Sequence, residues 1–262
     1  MKFQDQVVFI TGGAKGLGRE MARAFLAHGA SVAVNGRGGD AVAQFEQEFG
    51  KQKILAFRSD ITDAHEMEKT VATVTDAWGK IDILINNAGI VNPLAPTETM
   101  KKEDFDRVID VNLKGTFYVT QAFGKKMIEQ KSGRIINIAS QVALFGEKGF
   151  LPYAISKSAL IVMTRELAYE WSPYGITICT LAPGFIKGGM NQGLIKKEAF
   201  VNYLSGRTPV GRMGEVNEVV STILFLASDE ARYINGETII MDGGMTGYTR
   251  ETLLDFIAGG RR

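Results

Sequence analysis

Thr11-Gly12-Gly13-Ala14-Lys15-Gly16-Leu17-Gly18 is the stretch that decides how the rest of this 262-residue chain is read. It follows the apolar run Val7–Thr11 and opens the amphipathic segment Leu17–Ala27. Glycines at a strand-to-helix junction permit a tight turn and let a pyrophosphate approach the N–H groups of the helix start. Outward from this turn, short β-branched runs alternate with longer helical patterns. Strands are predicted at Val7–Thr11, Ser31–Asn35, Ile54–Arg58, Ile81–Ile85, Arg134–Ala139, Thr177–Leu181 and Thr238–Met241. Helices are predicted at Leu17–Ala27, Asp40–Phe49, Ala64–Trp78, Lys102–Ile128, Tyr153–Trp171 and Val216–Ala227, with Asp63 and Glu66 as a capping box for the third. Strands that are apolar at successive positions, each followed by a helix, are the pattern of a parallel sheet covered on both faces. An α/β, doubly wound, seven-stranded parallel sheet in a single domain is therefore expected. No linker, charge block or repeat divides residues 1–262.

The bulk properties exclude several classes. A net charge of +1 offers no electrostatic reason for a nucleic-acid or anionic-membrane partner. No apolar stretch approaches the ~18 residues of a membrane span, and the apolar run at the amino terminus is too short for a signal peptide. The single cysteine, Cys179, has no internal partner and lies in an apolar run, so a buried thiol in a reducing, cytoplasmic setting is expected.

Dinucleotide choice is read at the end of the second strand, where an acid holds a ribose 2′-hydroxyl and an arginine accommodates a 2′-phosphate. Here the sequence is Val34-Asn35-Gly36-Arg37, with no acid at the strand end. Arg37 can pair bidentately with a phosphate, and Lys15 adds a second positive charge. This favours NADP(H). Asp40 is the residue near enough to reverse that preference toward NAD(H). Asp60 and Asn86-Asn87-Ala88-Gly89 also fall at strand carboxyl ends, although a lone Asp after a strand is usually a cap.

Tyr153 and Lys157 stand four apart on one helix face, with Pro152 where a helix start tolerates it. A tyrosine ionises near pH 10, and a neighbouring ammonium favours the phenolate. Such a pair suits acid/base work at neutral pH. Ser140 closes the fifth strand, and the loop that follows can bring its hydroxyl beside the phenol. Asn112, a polar amide among apolar neighbours with Gly115 close by, marks a local irregularity or a buried backbone group to be satisfied.

These motifs together resemble the short-chain dehydrogenase/reductase family in its single-domain branch of roughly 250 residues. The resemblance runs almost the whole chain: TGGAKGLG at Thr11–Gly18, NNAG at Asn86–Gly89, Asn112, Ser140, YAISK at Tyr153–Lys157 and Pro183-Gly184. It implies a Rossmann sheet whose first part, about residues 1–130, holds cofactor, while about 131–262 carries catalysis and substrate. The reaction implied interconverts a ketone or aldehyde with a secondary alcohol by hydride transfer. Tyr153 would be the acid/base, Ser140 would polarise the carbonyl, Lys157 would bind the nicotinamide ribose and lower the Tyr153 pKa, and Asn112 would hold a relay water. Cofactor contacts are implied at Gly12, Lys15, Gly16, Leu17, Gly18, Arg37, Asp60, Ile61, Asn87, Ala88, Gly89, Tyr153, Lys157, Pro183, Gly184 and Ile186. The chain departs from the family after Gly184: the Thr or Ser usual four residues on is replaced by Gly188, which leaves the backbone near Ile186 for the carboxamide.

The least regular stretch, Gly184–Arg212, follows a strand end and reads as a substrate lid. Substrate contacts are expected from Ser140, Gln141, Tyr153, Phe185 and Met190, with Leu194 as further lining and Glu147 and Lys148 within reach of a polar group. Lys187, Lys196 and Lys197 are either anion contacts or merely solvated. The wording of the chain is similar to 3-oxoacyl-thioester reductases and gluconate-type dehydrogenases, so a small polar hydroxy or oxo compound is expected. Tyr174 stands where carrier-protein reductases tend to carry Arg, which disfavours a carrier-protein partner. No metal site is read. Competing readings are a nucleotide-sensing protein without catalysis, which would tend to lose Tyr153 or Lys157, and an epimerase with no net cofactor consumption. A homotetramer is implied, with the tail Thr246–Arg262 and its Leu253, Leu254, Phe256 and Ile257 packed on a neighbour.

Overall fold

Alternate residues of each strand feed two separate cores, which is why the strands read as unbroken apolar runs. Val8, Ile10, Val32, Val34, Ile136 and Leu181 face one cluster, while Val7, Phe9, Ala33, Leu84, Ile135 and Ile178 face the other. The computed structural model describes residues 2–188 and 195–247. Its elements are β1 (Val7–Ile10), α1 (Gly16–Ala27), β2 (Ser31–Gly36), α2 (Gly39–Phe49), β3 (Ile54–Arg58), α3 (Ala64–Trp78), β4 (Ile83–Asn86), α4 (Lys102–Ile109), α5 (Thr116–Gln130), β5 (Gly133–Ile138), α6 (Leu151–Trp171), β6 (Ile176–Pro183), β7 (Ile186–Lys187), α7 (Glu198–Arg207), β8 (Gly214–Glu215), α8 (Val216–Ala227) and β9 (Thr238–Met241).

Seven strands form one parallel sheet in the order β3-β2-β1-β4-β5-β6-β9. α1, α2 and α8 cover one face; α3, α5 and the end of α6 cover the other. The order reverses between β1 and β4, and the crevice at that switch point is where such sheets bind ligands. The expected doubly wound, single-domain Rossmann architecture is therefore the one observed.

Three local expectations need correction. The long helix over Lys102–Ile128 is three pieces, because a wide π turn at Asp110–Gly115 separates α4 from α5. The capping box at α3 is only half formed. The Asp63 side chain accepts from His65 N and Glu66 N, but Glu66 bonds the N–H of Asp60 at 2.7 Å, not that of Asp63. Finally, Gly184–Arg212 is not irregular throughout. It contains α7 and the short strand β7, which pairs in parallel with β8. The apolar spacing of α7 is weak because only Leu204 of its ten residues is buried.

No helix among the described residues is long and apolar enough to cross a membrane. Cys179 is buried in β6 as expected, and burial pushes its thiol up to about 12.

Candidate active site

The glycine turn is held by a small set of buried polar side chains. Gly12 adopts φ 63°, a conformation that favours glycine, and donates its N–H to Asn35 Oδ1 at 2.9 Å. Asn35 is itself buried and donates to Ser59 Oγ at 3.2 Å. Thr11 Oγ1 accepts from Asn87 N and Ala88 N, each at 2.9 Å, and Asn87 Nδ2 donates to Thr11 O at 2.9 Å. The turn after β1 and the NNAG loop after β4 are thereby one unit. Gly18 completes it: a Cβ there would lie 2.6 Å from Gly12 O and 2.8 Å from Asn87 Nδ2, so only glycine fits.

The start of α1 fits a pyrophosphate by its donor set. Lys15 makes no side-chain cap bond, and the first turn, which includes Gly16 and Leu17, carries no acid. The N–H groups of that turn are therefore left without a side-chain acceptor, in contrast to α3 and α8, whose starts are capped by Asp63 and by the Glu215–Glu218 box.

Beyond the turn lie the residues expected to do chemistry. The π turn places Asn112 so that it accepts from Ile90 N at 2.8 Å and donates to Ile90 O at 2.9 Å and Ser156 Oγ at 3.1 Å. Both readings of Asn112 hold: it marks a helix irregularity and satisfies buried backbone. A Cβ on Gly89 would sit 3.3 Å from Asn112 Oδ1 and 3.4 Å from Lys157 Nζ, so the NNAG loop, the π turn and α6 meet at one point. Lys157 is 2% exposed, and its Nζ donates to Ile138 O at 2.7 Å. The same ammonium stands 5.8 Å from the centroid of the Tyr153 ring. Ser140, just past β5, stands beside the phenol closely enough for its hydroxyl to favour the ionised form.

The electrostatics of this group are set first by burial. Burial raises the Tyr153 pKa, and the neighbouring Ser140 hydroxyl opposes that rise. Lys157 spends its charge on the Ile138 carbonyl, and burial lowers its own pKa to about 8.

The remaining expected contacts are spread around this centre. Arg37 Nη1 lies 3.8 Å from Asp60 Oδ2, an open pair at the ends of β2 and β3. Asp60 also caps its own turn through Thr62 N and Oγ1. The Ile61 side chain is buried beneath Gly115, which leaves its backbone for any ligand. Pro183 ends β6, and Gly184 N bonds Met241 O at 2.9 Å. Gln141 is buried under Gly184, with Nε2 3.3 Å from Met245 Sδ, so it faces the protein more than an open cleft. Phe185 O accepts from Gly214 N at 3.0 Å, and Ile186 stands in β7. Glu147 is tied to Arg207, and Lys187 to Glu215, while Lys148, Lys196 and Lys197 are exposed. Met190 and Leu194 lie outside the described residues, as does the tail from residue 248.

Sequence reading missed Thr11, Asn35, Ser59 and Asn137 as parts of the site's frame. Asn86 Nδ2 donates to Asn137 Oδ1 at 2.8 Å, and Asn137 Nδ2 to Thr164 Oγ1 at 2.8 Å, so a buried polar chain runs from the NNAG loop to α6. The available signal was polar residues at positions of apolar strands. A cavity of about 710 Å³, lined by Asp82, Arg134, Arg232 and Tyr233 among others, lies at the opposite, amino-terminal end of the strands. It is remote from this chemistry, and Arg134 in it caps α8 through Leu226 O and Ser228 O.

A doubly wound sheet with a glycine turn at its switch point and a Ser–Tyr–Lys group beside it defines a class, and sequence comparison agrees. The chain belongs to the short-chain dehydrogenase/reductase family and is an oxidoreductase of that family. A family model described as enoyl-(acyl carrier protein) reductase matches residues 12–246. Gluconate 5-dehydrogenase of Gluconobacter oxydans is 35% identical over 90% of this chain and 93% of that protein. The 3-oxoacyl-(acyl-carrier-protein) reductase of Thermotoga maritima is 40% identical over 94% of this chain and 99% of its own length. Among solved structures, a gluconate 5-dehydrogenase from Burkholderia cenocepacia in complex with NADP and tartrate superposes with a TM-score of 0.88 at 32% identity, covering 95% of this chain and 98% of that one.

Proposed function

We propose that this enzyme is an NADP(H)-dependent reductase or dehydrogenase of a small polar hydroxy or oxo compound, of the sugar-acid or 3-oxoacyl kind. The observation that carries the reading is the convergence of Ser140, Tyr153 and Lys157, with Lys157 fully sequestered beside the phenol. When bound, the nicotinamide supplies or takes up the hydride. Ser140 orients the substrate oxygen, and the raised pKa of Tyr153 keeps its proton in place at neutral pH, ready for donation to that oxygen. Lys157 has one protein acceptor and two further N–H groups to offer a ribose. Asn112 is rigidly placed to hold a water at the floor of the site.

NADP(H) is favoured by Arg37 and Lys15, by the absence of an acid at the end of β2, and by the NADP bound in the Burkholderia relative. The weak exposed Arg37–Asp60 pair is one that a dianionic phosphate displaces. The substrate class rests on relatives named for gluconate and for 3-oxoacyl groups. Residues 184–212 act as the lid, with Phe185 beside the substrate. A cytoplasmic setting is supported by the lone buried thiol. A homotetramer is supported by exposed apolar residues on α5 and α6 (Phe117, Ile155, Val162) and by Ile240 on the edge strand β9, and a monomer in sedimentation would overturn it.

The test is a screen of sugar acids, oxo acids and 3-oxoacyl thioesters with both nicotinamides. Turnover with NADPH that falls about a thousandfold in Tyr153→Phe supports the reading. Activity confined to a steroid, or a decisive preference for NADH, overturns it.

A further inference from the structure

We infer that Arg58 is a specificity-determining residue for the cofactor, a second guanidinium closing on the ribose 2′-phosphate from the side opposite Arg37. The inference rests on the NADP(H) reading above and adds a residue to it. Its basis is the geometry around Gly36. In the parallel register Gly36 pairs with Arg58, so the two residues point to the same face of the sheet. A Cβ on Gly36 would lie 3.3 Å from Ala14 Cβ and 3.5 Å from Val42, which identifies that face as the one beneath the glycine turn and α2. Arg37 follows Gly36 in the chain, and Lys15 follows Ala14. Arg37 therefore stands one chain step and Arg58 one sheet rung from the same glycine, and Lys15 is next in the chain to the Ala14 that lies against it.

The Arg58 side chain passes over Gly39, the first residue of α2. A Cβ there would be 3.7 Å from Arg58 Cδ and 3.8 Å from both Nε and Nη1. The guanidinium thus lies along the β2–α2 connection that carries Arg37. Gly38 and Gly39 have no side chains to stand between the two.

Charge balance supports the assignment. Arg37 is shared with Asp60 at 3.8 Å, and Asp40 is exposed in the first turn of α2. The Arg58 side chain is exposed at a strand end and has no carboxylate or hydrogen-bond partner among the described residues, and neither has the side chain of Lys15. Three cations against two carboxylates leave a net positive notch. A guanidinium with both N–H edges open matches a phosphate's oxygens bidentately, which a lysine point charge does not.

The experiment uses calorimetric titration of the full chain with 2′,5′-ADP and with 5′-AMP, which differ only by the 2′-phosphate. Wild type, Arg58→Met, Arg58→Lys and Arg37→Met are compared, each checked by thermal melting. Arg58→Met should weaken 2′,5′-ADP about tenfold, leave 5′-AMP unchanged and flatten the salt dependence of 2′,5′-ADP binding. Arg58→Lys should recover part of that loss. An unchanged 2′,5′-ADP affinity in Arg58→Met, or an equal loss for both nucleotides, would overturn the role of Arg58 while leaving the NADP(H) reading intact. A wild type that binds the two nucleotides equally would remove the NADP(H) reading itself.

Discussion

The glycine turn and α7 both sit where ligands enter at the carboxyl end of the sheet, yet they are built on opposite principles. Around the turn, buried side chains clasp backbone: Thr11, Asn35 and Asn87 lock two loops through hydrogen bonds of 2.9 Å, and Gly18 packs directly against Gly12 O. Nothing there can move alone. α7 buries a single residue, Leu204, and reaches the segment between Ser140 and Tyr153 through the pair of Arg207 with Glu147 at 2.9 Å. A dinucleotide has one shape, so its site is rigid and its residues are dictated by close approach. Substrates vary, and α7, in the segment proposed above as the lid, is held by few contacts that are easily changed.

The largest effect that tests this contrast comes from Lys157, on the rigid side. Its ordinary pKa is 10.5, and burial lowers it to about 8 in the folded chain. Between those values the unfolded chain keeps a proton that the folded chain has lost, so stability rises with pH through that window. At neutral pH, burying the ammonium costs on the order of 3 kcal/mol. Urea melts at pH 7 and pH 10 should show wild type gaining stability relative to Lys157→Met as pH rises. Parallel curves would mean that this part of the frame relaxes around the charge.

Next in size is Gly18→Ala. Its methyl group meets Gly12 O and the Asn87 amide, neither of which can retreat without breaking the turn. A loss of about 2–3 kcal/mol in denaturant melts is expected, together with loss of 5′-AMP binding by calorimetry. If nucleotide binding survives, the turn is softer than its hydrogen bonds indicate.

Arg207→Met should do less to stability and more to the docking of α7, in the proposed lid. Both partners are mostly shielded, with side-chain exposures of 23% and 21%, and Arg207 also donates to Tyr203 Oη at 2.8 Å. About 1 kcal/mol is expected, with faster proteolysis confined to residues 195–211. Glu147→Gln should give the same cleavage pattern, and the double variant should add little to either. Independent, additive effects would show that the pair is not what docks α7.

Much of this could be read from sequence because the physics was local. The limits of α3 and α8 coincide with their periodicity, and β3 and β9 with their β-branched runs. Tyr153 and Lys157 share a helix face by spacing alone. What escaped depends on contacts distant in sequence. The π turn at Asn112 exists because its amide closes on Ile90, twenty-two residues earlier, and Glu66 abandons the α3 cap for the N–H of Asp60. That Lys157 also bonds Ile138 O is a matter of where β5 ends relative to α6, which spacing does not encode. α7 was missed because a helix with one buried residue leaves almost no apolar period to detect.

The smallest effect closes the comparison by repeating one substitution on the other side. Gly206 lies near the end of α7, its φ is not in the left-handed region, and a Cβ there would meet nothing within 4 Å. Gly206→Ala should therefore stabilise α7 slightly, by about 0.5 kcal/mol, through the lower entropy of the unfolded chain and better helix propensity. The same methyl that breaks the turn at Gly18 is thus expected to slow proteolysis within residues 195–211 and to leave 5′-AMP binding untouched. Were Gly206→Ala destabilising instead, α7 would be packed against something at that position, and the contrast between a fixed cofactor frame and a loosely held lid would fail on its weaker side.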